Sequence, residues 1–120
     1  MSTAALVVAI IACAAIIVLG GRFILQPRRS MLDFGVAPGN VRALTAIKGV
    51  RDITSGVVPL VVLAAAGRTA LGWVIVAAAL TAAGDAVIVL ANGGKRAAAL
   101  GIHGLTAALL VAAGLVLALG

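Results

Sequence analysis

Four apolar runs, separated by short polar breaks, dominate the pattern of this chain. Ala4 to Leu19 is uninterrupted apolar, and Gly20-Gly21-Arg22 begins its exit, which predicts a first helix over about 3–25. A second run predicts a helix over about 41–66, opened by Asn40, a residue type suited to an N-cap. At about 1.5 Å per residue that helix reaches about 39 Å, enough to cross a bilayer with one end in the interface. Pro59 lies inside it and leaves the carbonyl of Ser55 without its usual donor, so a kink is expected near Ser55-Gly56. Gly67-Arg68 then makes a short turn into a helix over about 69–91. Asn92-Gly93-Gly94 is a second turn, and a fourth helix runs over about 96–119.

The longest connection, 27–40, is punctuated by Pro27, Pro38 and Gly39. Arg28 and Arg29, followed by Met31, Leu32 and Phe34, suit a short segment lying at the membrane interface; an ordinary loop is the alternative. The expected fold is therefore all-α, a single integral membrane domain over 1–120. Its four transmembrane helices form an up-down-up-down bundle. Ala77-Ala78-Ala79 and Ala97-Ala98-Ala99 should let helix backbones approach closely.

Composition narrows the class. The 120 residues are 64% hydrophobic and only 10% charged, with a mean hydropathy of +1.31. A water-soluble domain carries about a quarter charged residues, so this chain lacks the polar side chains to cover a wet surface. The lipid bilayer is its expected partner, and the cell (inner) membrane its expected location. The leading Met-Ser-Thr has no Lys or Arg, which favours a retained first helix over a signal peptide. Ile10-Ile11-Ala12-Cys13 resembles a lipoprotein cleavage box but also lacks a basic leader.

The net charge of +6 does not indicate nucleic acid, because two Phe, one Trp and no Tyr offer little stacking surface and the basic residues sit at segment ends. Such residues set topology. Arg22, Arg28, Arg29, Arg42, Lys95 and Arg96 flank the first and third connections, whereas Arg68 stands alone at the second. That asymmetry predicts both connections in the cytoplasm and both termini outside. It also argues against the dual topology of the small multidrug transporters, which in addition use a carboxylate in helix one that is missing here. A single cysteine, Cys13, allows neither an intrachain disulfide nor a CxxC pair. Asp52, Asp85 and His103 would be the only metal-ligand set, with Lys48 and Arg51 beside it to repel a cation, so neither metal nor cofactor is expected.

The remaining polar residues fall at one depth. Counted from the cytoplasmic ends of their helices, Arg51, Asp85 and His103 lie about 13, 12 and 10 Å in. Lys48, Arg51, Asp52, Ser55 and Pro59 follow helical spacing on one face, as do Thr81, Asp85 and Asn92, and Arg96, His103 and Thr106. A charge facing lipid costs about 2.5–3.5 kcal/mol, so Lys48, Arg51, Asp52 and Asp85 together would cost on the order of 10 kcal/mol. The expectation is a nearly neutral buried cluster in which Arg51 pairs with Asp85. The alternative is a structural network that fixes helix register.

The stretches Lys48-Gly49-Val50-Arg51-Asp52, Gly67-Arg68, Gly72-Trp73, Gly84-Asp85-Ala86-Val87-Ile88-Val89-Leu90 and His103-Gly104 carry a resemblance. The chain resembles the four-helix membrane proteins catalogued as domain of unknown function 4267, and more distantly the DoxX-like group. The resemblance covers nearly the whole chain. It implies one four-helix domain and singles out Lys48, Arg51, Asp52, Asp85 and His103, but no reaction.

These residues suggest acid–base chemistry on a small lipophilic molecule. Arg51, Asp52, Asp85 and His103 are the catalytic candidates, and Lys48, Ser55 and Thr81 the substrate-binding ones. In epoxide opening, one carboxylate activates water and a protonated partner donates to the leaving oxygen; isomerisation by proton shuttling uses the same parts. A proton-coupled transporter titrating Asp85 and His103 is a second reading, and would need a homo-oligomer to build a pathway. A non-catalytic accessory subunit is the third, with an apolar outer face for its partner and no pocket.

Overall fold

The uninterrupted apolar run at the N-terminus has nothing to stop a helix before Gln26, and α1 spans Ser2–Leu25. The computed structural model describes residues 2–120, the side chains of Ser2 and Ala9 excepted. Pro27, whose missing N–H costs nothing in a first turn, opens the short helix α2, Pro27–Phe34. The segment expected at the interface is thus helical. Gly35, at φ +105°, closes it: its N–H donates to the Leu32 carbonyl and that of Val36 to the Met31 carbonyl. Asn40 accepts the Ala43 N–H on its side-chain oxygen at 3.0 Å, the N-cap bond that starts α3, Val41–Ala91.

α3 is two helices joined at one residue. Gly67, at φ +88° and ψ −173°, is the only residue inside α3 with non-helical backbone, and this is a region of conformational space essentially reserved for glycine. The break thus falls at the expected Gly67-Arg68 turn, while Ser55 and Gly56, where Pro59 was expected to kink the helix, keep helical backbone. α3 ends in a second glycine cap, with Gly93 at φ +73° and the Gly94 N–H donating to the Val89 carbonyl at 2.8 Å. The chain then forms α4, Arg96–Ala98, a π-helical turn over Ala99–Gly104, and α5, Leu105–Leu119. The fold is all-α, with long helical runs beside the expected limits of 3–25, 41–66, 69–91 and 96–119.

Two compact units divide the chain, residues 1–48 and 49–120. In the first, α2 packs on the end of α1. Phe23 and Phe34 meet edge to face at 6.1 Å, and Arg22 Nη2 pairs with Asp33 Oδ2 at 2.8 Å. In the second, the 68–91 limb and α5 approach until their backbones touch. A Cβ on Gly72 would lie 2.6 Å from the Gly114 carbonyl oxygen, and one on Gly114 2.7 Å from that of Gly72. Gly72, Ala79, Ala82 and Ala86 form the buried stripe of the limb, and Ala99 and Gly114 are buried opposite. Small residues bring helices this close in apolar surroundings, where packing and not water exclusion drives association. Large side chains such as Ile17, Val61, Leu80 and Val116 stay exposed.

Candidate functional site

The close approach of the helices determines where ionisable side chains can go. A seam of Gly and Ala with touching backbones has no space for Arg or Asp, so the ionisable residues lie off the buried stripe. Arg51, Asp52, Ser55 and Thr81 are exposed, as is Lys48, while Asp85 and His103 are half-buried. The expected buried ionic cluster is therefore not formed. Arg51 and Asp85, expected to pair, form no ion pair with each other. An ion pair does form between Arg22 and Asp33, in the other unit. Lys48 and Asp52 each have an interaction partner. Ser55 donates its hydroxyl to the Arg51 carbonyl at 2.8 Å, and Thr106 donates to the Ile102 carbonyl, so both are turned toward their own helices. Among the described residues no three His, Cys, Asp or Glu side chains gather closely enough to hold a metal ion.

Depth and rotation are separate quantities, and only depth follows from counting residues. Asp85 lies about 100° round the helix from the buried Ala86, and Thr81 on the far side from Gly72. Asp85 and His103 nevertheless sit on neighbouring helices at similar levels. From the Gly72–Gly114 crossing, Asp85 is about 20 Å along its limb and His103 about 16 Å along its own helix.

His103 has an unusual setting. It lies inside the π turn Ala99–Gly104, where i→i+5 bonding widens the helix by one residue. Gly104 makes room for that turn, since a Cβ there would come 3.3 Å from the Ala99 carbonyl oxygen. Such turns are frequent at functional sites. The widened turn also breaks the spacing that put Arg96, His103 and Thr106 on one face. Beside the same hairpin runs an open groove lined by Val76, Leu80, Ala83, Ala107 and Val111, with no ionisable residue along it.

Residue counting passed over a second constellation, in the first unit. Ser30 is 4% exposed and its hydroxyl has no hydrogen-bond partner. A buried hydroxyl left so costs about 1–3 kcal/mol. It lines a cavity with Arg22, Phe23, Asp33 and Phe34. The signal was Pro27, which turns the chain so that Asp33 returns to Arg22 eleven residues earlier.

These features define a class: a small all-α protein with, among the described residues, three helices long and apolar enough to cross a membrane, one of them broken at Gly67. Residues 13–117 match the family model described as Domain of unknown function (DUF4267), and the chain belongs to that family. No curated protein and no solved structure matches the chain.

Proposed function

We propose that the protein crosses the cell membrane several times and carries out proton-transfer chemistry on a small lipophilic molecule, with Asp85 and His103 as the exchanging pair. The observation that carries the reading is a half-buried carboxylate and a half-buried imidazole at similar levels on adjoining helices, the imidazole in a π turn. The membrane placement is supported by the long apolar helices with exposed Ile, Leu and Val side chains. The basic residues around the first and third connections support cytoplasmic placement of both, with the termini outside.

Isomerisation fits better than epoxide opening. One group removes a proton from the substrate and the other returns one at a neighbouring atom, which needs two titratable groups and no fixed Arg between two carboxylates. Epoxide opening needs Asp52, Arg51 and Asp85 held together, and Arg51 makes no pair with Asp85. Arg51 and Asp52 join the site when a second copy of the chain covers their exposed face. Leaving Arg51 against lipid would cost about 2.5–3.5 kcal/mol, which favours such cover. Ser55 and Thr81 then line the route by which substrate enters.

The test is a comparison of lipid-extract metabolites from cells expressing the wild type, Asp85→Asn and His103→Ala at equal levels. A metabolite pair of equal mass whose ratio shifts only with the wild type is expected. Identical extracts would reject the enzyme. An accessory subunit is the second reading, favoured by the open apolar groove beside Leu80 and Val111, and it predicts identical extracts together with co-purification of a larger membrane protein.

A further inference from the structure

The cavity in the first unit is separate from the Asp85–His103 pair and combines three polar groups of different kinds. Arg22 supplies a guanidinium, Asp33 a carboxylate and Ser30 a buried hydroxyl without a partner, with Phe23 and Phe34 as apolar walls. The cavity measures about 200 Å³, room for a group of several heavy atoms. A bare anion would meet the Asp33 carboxylate, and a bare cation the Arg22 guanidinium. A ligand that carries both charges satisfies both sides. The Arg22 and Asp33 side chains are 40% and 57% exposed, so their mutual bond is a surface pair that opens cheaply to admit such a ligand.

We propose that this cavity binds a phosphate ester bearing a primary ammonium group, the headgroup chemistry of an aminophospholipid. Arg22 donates to the phosphate oxygens, Asp33 accepts from the ammonium, and the Ser30 hydroxyl donates to a phosphate oxygen and so gains the partner it lacks. The ammonium also lies against the ring of Phe23 or Phe34. Arg28 and Arg29, exposed on α2, face the headgroup layer in the same reading, which rests on α1 crossing the membrane. The ligand chemistry is shared by phosphatidylethanolamine in the bilayer and by free phosphoethanolamine.

Native mass spectrometry of the full chain in detergent micelles tests the site with equimolar phosphatidylethanolamine, phosphatidylcholine and phosphatidylglycerol of identical acyl chains. Phosphatidylcholine replaces the hydrogen-bonding ammonium by a trimethylated one, and phosphatidylglycerol lacks the cation. Retention of phosphatidylethanolamine about tenfold above both is expected, falling to parity in Ser30→Ala and in Asp33→Asn. Each of these variants keeps nearly the wild-type volume. Circular dichroism of the two variants should match the wild type. Displacement of the lipid by millimolar phosphoethanolamine would support the same site with a soluble source. Equal retention of the three lipids, or a preference unchanged in both variants, would overturn the proposal. Phosphoethanolamine binding by a chain that fails to partition into membranes would instead reject the membrane placement and keep the site.

Discussion

Gly114 and Gly72 work by having no side chain. A Cβ on Gly114 would lie 2.7 Å from the Gly72 carbonyl oxygen, and one on Gly72 2.5 Å from the Ala118 backbone nitrogen, so neither neighbour can yield without moving a helix. Gly72→Val is therefore expected to destabilise the 49–120 unit by about 1–3 kcal/mol, read as a lower unfolding midpoint in mixed micelles. Gly84 has nothing within 4 Å of its Cβ position, and Gly84→Ala should be neutral or stabilising by up to about 1 kcal/mol. Equal loss in the two variants would refute the touching seam. The same reasoning applies to Asp85. Were it paired with Arg51, Asp85→Leu would leave a cation stranded and cost more than Asp85→Asn. Without that pair the two variants should unfold within about 1 kcal/mol of each other. Asp85 and His103, the pair proposed to act, were conspicuous in the sequence because ionisable groups in apolar runs stand out. Ser30 was not, because a serine between arginines and a methionine looks solvated until the fold closes over it.

Helix ends were readable to within a residue or two, because caps are local chemistry. Asn40 capping Ala43 is an interaction over three residues, and the Asn92-Gly93-Gly94 turn closes on Val89 and Leu90. Asn40→Ala should lower stability by about 1 kcal/mol in the same micelle unfolding assay. The interior of the helices was harder to read. Gly67-Arg68, expected as a turn, is where the backbone departs from helix, at φ +88°, whereas the kink expected near Ser55 from Pro59 does not show in the backbone angles. Gly67→Ala is expected to cost about 1–3 kcal/mol, whereas Gly56→Ala, at a helical position with open space around it, should not destabilise. The π turn at Ala99–Gly104 was likewise hidden. Gly101 and Gly104 permit a wide turn, but a sequence that permits one does not require it, and helical spacing counted across it fails.

At the scale of the whole chain, the distribution of Lys and Arg makes the clearest prediction. Reporter fusions in the 27–40 connection and at Asn92 should report the cytoplasm, and one at Arg68 the outside. A mixed signal at all three positions would mean dual topology. Hydropathy and cap residues by themselves determined that the chain is all-α, apolar and organised in long helices, since these depend on neighbours a few positions apart. Rotation of each helix about its axis depends instead on which surfaces fit, and no local pattern specifies that. Tertiary structure alone therefore decided that Gly72 meets Gly114, that Arg51 faces outward and unpaired with Asp85, and that Ser30 is enclosed beside Arg22 and Asp33.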